Sequence, residues 1–188
     1  MKMRMFFDMK NLSMFKYREI ISEDNKILEK IIKTNLEKFN LNIPGTAYFD
    51  ESLKNLSEFY LQNPLKRAYY VLLSEDKIIG GVGLAEFENI DNCCELQKLY
   101  LTDEAKGHGL GYFLIKLIES KAHELGYKKI YLETHTNLSA AIHIYEKLGY
   151  EEIKHTKIFH QAMNKFYIKD VCNYFVKIPV SDEVLEIK

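Results

Sequence analysis

Residues Leu101 to Ser120 read "LTDEAKGHGLGYFLIKLIES" and carry three of the chain's nine glycines, Gly107, Gly109 and Gly111, at every second position. From Leu110 onward, apolar side chains recur at Phe113, Leu114, Leu117, Ile118, Ala122 and Leu125, the i, i+3, i+4, i+7 stripe of a half-buried helix. Glycine at a helix mouth is conformationally costly, so the spacing asks for bare backbone. The first turn of a helix has a use for it. Its N–H groups lack intrahelical partners and carry the positive end of the dipole. With side chains removed, a phosphate can rest directly on them. The stretch therefore predicts a phosphate cradle at a strand–helix junction, with Lys106 adding charge. A glycine-rich turn that serves only close strand–helix packing is the structural alternative.

The motif GxxxxGK[ST] of a nucleoside-triphosphate loop is absent, and the spacing is GxGxG rather than the GxGxxG of a dinucleotide site. "GGVG" at Gly80 to Gly83 runs on into strand-like residues and is no phosphate loop.

Working outward, "KYREII" (Lys16 to Ile21) predicts a strand. Ser22, Glu23, Asp24 and Asn25 then offer capping side chains to a helix whose apolar face is Ile27, Leu28, Ile31, Ile32, Leu36 and Phe39. Pro44–Gly45 breaks it, and a second helix is predicted over Glu51 to Tyr60. Tyr69 to Leu73 and Ile78 to Phe87 flank the turn "SEDK" as a hairpin. Cys93 to Leu101 is a strand ahead of the glycines, with Glu95, Gln97, Leu99 and Leu101 expected on one face by alternation. The glycine-led helix ends at Gly126, Lys128 to His135 is a strand, and Ser139 to Tyr150 is a helix closed by Gly149. "EEIKHT" and "AMNKFYIKDV" are closing strands. The order β-α-α-β-β-β-α-β-α-β-β predicts a mixed sheet with helices on both faces.

The chain has 188 residues, enough for one domain with a substantial core. Its 26 basic and 27 acidic residues nearly cancel, so no global field argues for nucleic acid or an anionic membrane as the main partner. No run of eighteen apolar residues is present, and Asp8 and Lys10 interrupt the apolar start before a signal-peptide core can form. Cys93, Cys94 and Cys172 form no CxxC and read as thiols in a reducing cytoplasm. The histidines and cysteines show no HxxxH, HExxH or CxxC spacing, so no metal site is expected.

The segment from Glu95 to Glu152 closely resembles the Gcn5-related N-acetyltransferase (GNAT) superfamily. That family's acetyl-CoA signature [Q/R]xxGx[G/A] corresponds here to Lys106-Gly107-His108-Gly109-Leu110-Gly111, with Lys106 in place of Gln or Arg. The later "AAIHIYEKLGY", containing Tyr145-Glu146-Lys147-Leu148-Gly149, matches the family's second signature helix. The resemblance is strong over Cys94 to Glu152 and extends by element order from Lys16 to about Val171. It implies a GNAT-like α/β (α+β) fold: a mixed, mostly antiparallel twisted sheet with helices on both faces. The implied domain spans 16–172, between an extension at 1–15 and a further extension or strand at 173–188.

It also implies acetyl-CoA as co-substrate, held by Lys106, Gly107, His108, Gly109, Leu110, Gly111 and Tyr112, by the backbone of Leu99, Tyr100 and Leu101, and by Asn137 and Tyr145. Acetyl transfer to an amine needs three things. The amine must be neutral, yet at a lysine-like pKa only about one molecule in 2500 is so at pH 7. A base solves this. The carbonyl oxygen needs a donor as its charge develops, and the thiolate needs a proton. The resemblance makes Tyr145 the acid, against its reading as a core aromatic beside Ile142, Ile144 and Leu148. It makes Glu95, eleven residues before Lys106, the candidate base. Glu133 is its rival, with His135 and His143 outside candidates.

The expected reaction is acetylation of a small-molecule or peptide amine in the cytoplasm. Tyr48, Phe49 and Asp50 are expected in the acceptor wall, Asp50 as an ammonium partner, together with Ile158, Phe159 and His160. Dimerisation is common in the family, so a homodimer is compatible with the sequence. An acyl-CoA-binding sensor or partner module without turnover is the alternative of a different class.

Overall fold

The computed structural model describes residues 15–154 and 162–171. Four strands form an antiparallel meander: β1 (Phe15–Glu19), β2 (Ala68–Ser74), β3 (Lys77–Glu86) and β4 (Cys93–Leu101). β5 (Lys129–Thr134) joins β4 in parallel, and β7 (Lys165–Asp170) pairs antiparallel with both β5 and β6 (Glu151–Glu152). The sheet order is β1-β2-β3-β4-β5-β7-β6. The expected mixed, mostly antiparallel sheet is what the structure has.

Alternation along β2 separates two cores. Tyr70 and Leu72 pack with Leu114, Ile115 and Ile118 of α3 (Leu110–Glu124) and with Tyr145 of α4 (Ser139–Lys147). Tyr69 and Val71 pack with Leu28, Ile32 and Leu36 of α1 (Asn25–Lys38) and Tyr60 of α2 (Leu56–Leu61). Helices thus cover both faces, and the apolar stripe read from the sequence of α3 is the one buried.

Two irregularities in β4 make the site. The first is its parallel pairing with β5, which lasts only for Cys93–Glu95 against Lys129–Tyr131. Beyond Glu95, β4 stays with β3 while β5 stays with β7, and the strands splay. The second is a bulge. Gly81 pairs with Tyr100 but Gly83 pairs with Gln97, so β4 holds one extra residue, and Lys98 has φ 51°. This corrects the expected alternation. Glu95 and Gln97 share a face, but after the bulge Leu99 and Leu101 turn to the α3/α4 core and Tyr100 takes the α1/α2 side.

Smaller corrections follow local chemistry. The helix expected over Glu51 to Tyr60 begins as a 3-10 turn, Glu51–Asn55, which brings Leu53 and Leu56 into the core together. Of "EEIKHT", only Glu151–Glu152 is strand, and its last two residues lie outside the described residues. The final strand narrows to Lys165–Asp170.

Candidate active site

The glycine loop follows a 3-10 turn at Asp103–Ala105 and leads into α3. Gly107 and Gly109 have φ values of 82° and 73°, a left-handed backbone that residues with a Cβ rarely adopt. A Cβ built on Gly107 would meet nothing within 4 Å. Close packing is therefore not why that glycine is there; the loop faces open space. The N–H groups of Leu110 and Gly111, in the first turn of α3, have no intrahelical partner. Lys106 donates to Asp103 (2.8 Å) and lies 5.5 Å from the centre of the Phe39 ring. Lys38 also pairs with Asp103. Hydrogen bonds from Lys106 and then Lys38 pull the Asp103 carboxyl down to about 2. Two lysines share one aspartate, leaving the loop a net positive side-chain charge.

From this loop a cleft of about 400 Å³ runs along β4 into the splay. Leu99, Tyr100 and Leu101 line it from β4, and Gly111 and Ile144 from α3 and α4. A Cβ on Gly111 would sit 3.4 Å from the Ile144 Cδ1, so glycine keeps this wall thin. Tyr145 lies in the splay. The left-handed turn at Gly149 (φ 82°) lets the Tyr150 N–H reach the Tyr145 carbonyl at 3.0 Å, anchoring the end of α4. The Tyr145 ring meets Tyr150 edge-on with centroids 5.8 Å apart and lies 6.2 Å from Tyr167. It is 5 % exposed, and burial pushes its hydroxyl above the usual tyrosine range, keeping it protonated.

On the α1/α2 side a smaller polar pocket of about 100 Å³ opens into the same splay. Glu95 and Gln97 line it, opposite Asp50 and Met163. Leu96, Lys98, Tyr100, Glu133, Thr134 and Leu138 line both spaces, which therefore adjoin. Glu95 is 9 % exposed and accepts a 2.6 Å hydrogen bond from Gln97 Nε2. Glu133 accepts from the Tyr131 hydroxyl at 2.9 Å.

Of the residues expected to hold acetyl-CoA, Leu99, Tyr100, Leu101, Lys106, Gly107, Gly109, Leu110, Gly111 and Tyr145 line the cleft. His108 and Tyr112 do not. The His108 ring lies 6.4 Å from Phe15, and Tyr112 packs at the edge of the α3 core. Asn137 is exposed and donates to the Phe39 carbonyl (2.8 Å), tying the β5–α4 loop to the end of α1. His135 accepts from the Asn137 N–H (3.1 Å), and His143 is exposed on α4.

Of the residues expected in the acceptor wall, Tyr48 and Phe49 do not line this pocket. The hydroxyl of Thr46 accepts the Tyr48 N–H and starts a 3-10 turn, Ala47–Phe49. That turn sends Tyr48 to Glu37 of α1 (2.7 Å) and leaves Phe49 exposed, so Thr46 and Ala47 line the pocket instead. Asp50 does reach the pocket, where it is paired with Lys98 at 2.8 Å. Ile158, Phe159 and His160 lie outside the described residues.

Asn35 of α1 and Phe39, just past its C-terminal end, also line the cleft, which sequence reading did not anticipate. Asn35 donates to the Leu101 carbonyl at 3.0 Å. Its signal was a polar residue in the apolar stripe of α1, at the position after Leu28 and Ile31. Among the described residues no group of three or more His, Cys, Asp and Glu could hold a metal ion, and no helix is long and apolar enough to cross a membrane.

The fold agrees with what comparison shows. Residues 32–150 match the model of the acetyltransferase (GNAT) family. The chain is 33 % identical over 138 residues to the uncharacterized N-acetyltransferase YjgM of Escherichia coli (strain K12), spanning 72 % of this chain and 81 % of that one. Among solved structures, a GNAT-family acetyltransferase from Staphylococcus aureus Mu50 superposes with a TM-score of 0.73 at 20 % identity, covering 84 % of this chain and 99 % of that one. The PaiA N-acetyltransferase of Thermoplasma acidophilum, solved in complex with coenzyme A, gives 0.67 at 20 % identity over 83 % and 98 %. The chain belongs to the acetyltransferase (GNAT) family and is by class an acetyl-CoA-dependent acetyltransferase.

Proposed function

We propose that the chain moves the acetyl group of acetyl-CoA directly to a primary amine of a small molecule or peptide. In this reading Glu95 takes the amine's proton and Tyr145 protonates the departing thiolate. The observation that carries it is the meeting of two spaces in one splay: a long cleft from the glycine loop that reaches Tyr145, and a small polar pocket that holds Glu95.

The residues present fit acetyl-CoA. Gly107 offers open backbone, Lys106 and Lys38 offer charge, and the cleft between β4 and α4 has room for an extended arm. Bound there, acetyl-CoA supplies the activated acetyl thioester. Beyond Glu95, β4 has β3 as a partner on one side while its other edge borders the cleft. The backbone N–H groups of the Leu99–Leu101 stretch are then the donors available to a carbonyl oxygen in the splay. Tyr145 holds its proton through the neutral range because burial disfavours the phenolate, so it reaches the thiolate as an acid. Glu95 lines the adjoining pocket, so in this reading a proton leaves the amine on one side while another arrives on the sulfur.

The catalytic domain is taken as 16–172. The buried, free Cys93 and Cys94 suit a reducing cytoplasm. The test is a panel of amines, from amino acids and polyamines to peptide termini, with acetyl-CoA and detection of free CoA thiol. Thiol release that needs both acetyl-CoA and an amine is the expected result. Tight acetyl-CoA binding with no release for any amine would instead leave the acyl-CoA-binding sensor or partner module.

A further inference from the structure

Glu95 is the inner end of a part-buried hydrogen-bond chain that starts on α2. The Tyr60 hydroxyl donates to Gln97 Oε1 at 3.0 Å, and Gln97 Nε2 donates to Glu95 Oε2 at 2.6 Å. A glutamine side chain can present either end of its amide. An ionised carboxylate only accepts, so it takes the NH2 end, and the Tyr60 hydroxyl holds that orientation by donating to the carbonyl end. Tyr60 is 1 % exposed, and a Cβ on Gly83 would lie 2.5 Å from its hydroxyl oxygen. Glycine in β3 thus makes the space in which the phenol is boxed.

The surroundings give this chain work to do. From β5, Tyr131 is the register partner of Glu95 and Glu133 lines the same pocket. Burial and Glu133 raise Tyr131, and burial raises the neighbouring thiols Cys93 and Cys94, so these groups stay neutral and offer no positive charge. Buried Tyr69 of β2 donates to the Lys98 carbonyl. The pocket's cation, Lys98, is paired with Asp50 from the segment before α2. A donor on a carboxylate oxygen favours the ionised form, and Gln97 supplies one to Glu95.

We propose that Gln97, held in orientation by Tyr60, is a positioning residue that keeps Glu95 ionised and aimed into the acceptor pocket. The catalytic meaning of this rests on Glu95 being the base. Removing the donor should shift the Glu95 titration upward, and adding a second carboxylate should shift it further.

The experiment follows the Glu95 side-chain carboxyl by 13C NMR against pH in the full chain, its signal identified by absence in Glu95→Gln. Gln97→Met should raise its midpoint by about one pH unit. Gln97→Glu should raise it more. Tyr60→Phe, which keeps the ring and frees the amide to turn, should raise it less. It also keeps the test alive if Gln97 variants fold poorly. Acid limbs of the pH–rate profiles should move in the same order. Unmoved midpoints in Gln97→Met and Tyr60→Phe would overturn the proposal while leaving the base assignment standing. Ordered midpoints with full activity in Glu95→Gln would overturn the base assignment and strip the chain of its catalytic role.

Discussion

Replacing Tyr145 with phenylalanine separates the two readings of this side chain, because ring and hydroxyl do different things. The ring is buried against Tyr150 and Tyr167, and truncating it to alanine would cost about 3–5 kcal/mol of stability. Phenylalanine keeps all of that. No hydrogen bond ties the Tyr145 hydroxyl to another described residue, so removing it leaves no described partner orphaned. The fold should therefore change by less than about 0.5 kcal/mol, the range of a substitution that disturbs no packing or buried polar pair. If the hydroxyl protonates the thiolate, turnover falls by about 10²-fold or more, which is about 2.7 kcal/mol of transition-state stabilisation. The assay measures thiol release at saturating amine, with the Michaelis constant for acetyl-CoA and a thermal melt on the same preparation. A lower kcat with little change in that constant or in Tm is expected. Turnover within threefold of the parent protein would refute the reasoning and leave Tyr145 a packing residue.

Gly109→Asp places a carboxylate at the mouth of α3 in a left-handed conformation that aspartate tolerates better than most residues. Acetyl-CoA affinity by calorimetry should fall at least tenfold, about 1.4 kcal/mol, in a folded protein; unchanged affinity would remove the cradle. Asn35→Leu leaves the Leu101 carbonyl without its side-chain donor and should lower stability by about 1–3 kcal/mol in a denaturant titration. Arg67 grips Glu86 through two hydrogen bonds of 2.8 and 2.5 Å, which hold that carboxyl below its ordinary 4.5. The pair's stabilisation is complete above pH 4.5 and is lost as pH falls through the lowered folded value. Glu86→Gln should therefore cost about 1–2 kcal/mol at pH 7, and the two melting curves should converge in acid. A gap that is constant with pH would contradict this.

The parts of this fold written in local pattern were legible in sequence. The α3 stripe, the glycines ahead of it and the terminator Gly149 each follow from one helix's own chemistry, and all stand where expected. The parts set by pairing between distant segments were not. Nothing around Lys98 marks it as an extra residue, because the bulge exists only in register with β3. Three glycines in β3 were the available sign, since glycine inside a strand often means a bulge or a close approach. Here Gly81 and Gly83 admit the rings of Tyr69 and Tyr60. The placement of Tyr48 and Phe49 was hidden for a similar reason: the two rings are conspicuous, but the Thr46 hydroxyl decides where their turn points. Asn35 was readable as a polar break in an apolar stripe, yet its partner lies 66 residues away on β4.

The most direct test of acetyl transfer at the splay is the pH–rate profile of the parent protein and Glu95→Gln, using the best amine from the panel. With Glu95 as base, the parent rate rises with pH through one ionisation, and Glu95→Gln loses on the order of 10²-fold near pH 7. That gap narrows at high pH, where the free amine fraction grows unaided. A uniform loss at every pH would mean that Glu95 positions rather than moves a proton, and no loss at all would contradict the assignment and pass the role to Glu133, a histidine or an ordered water chain.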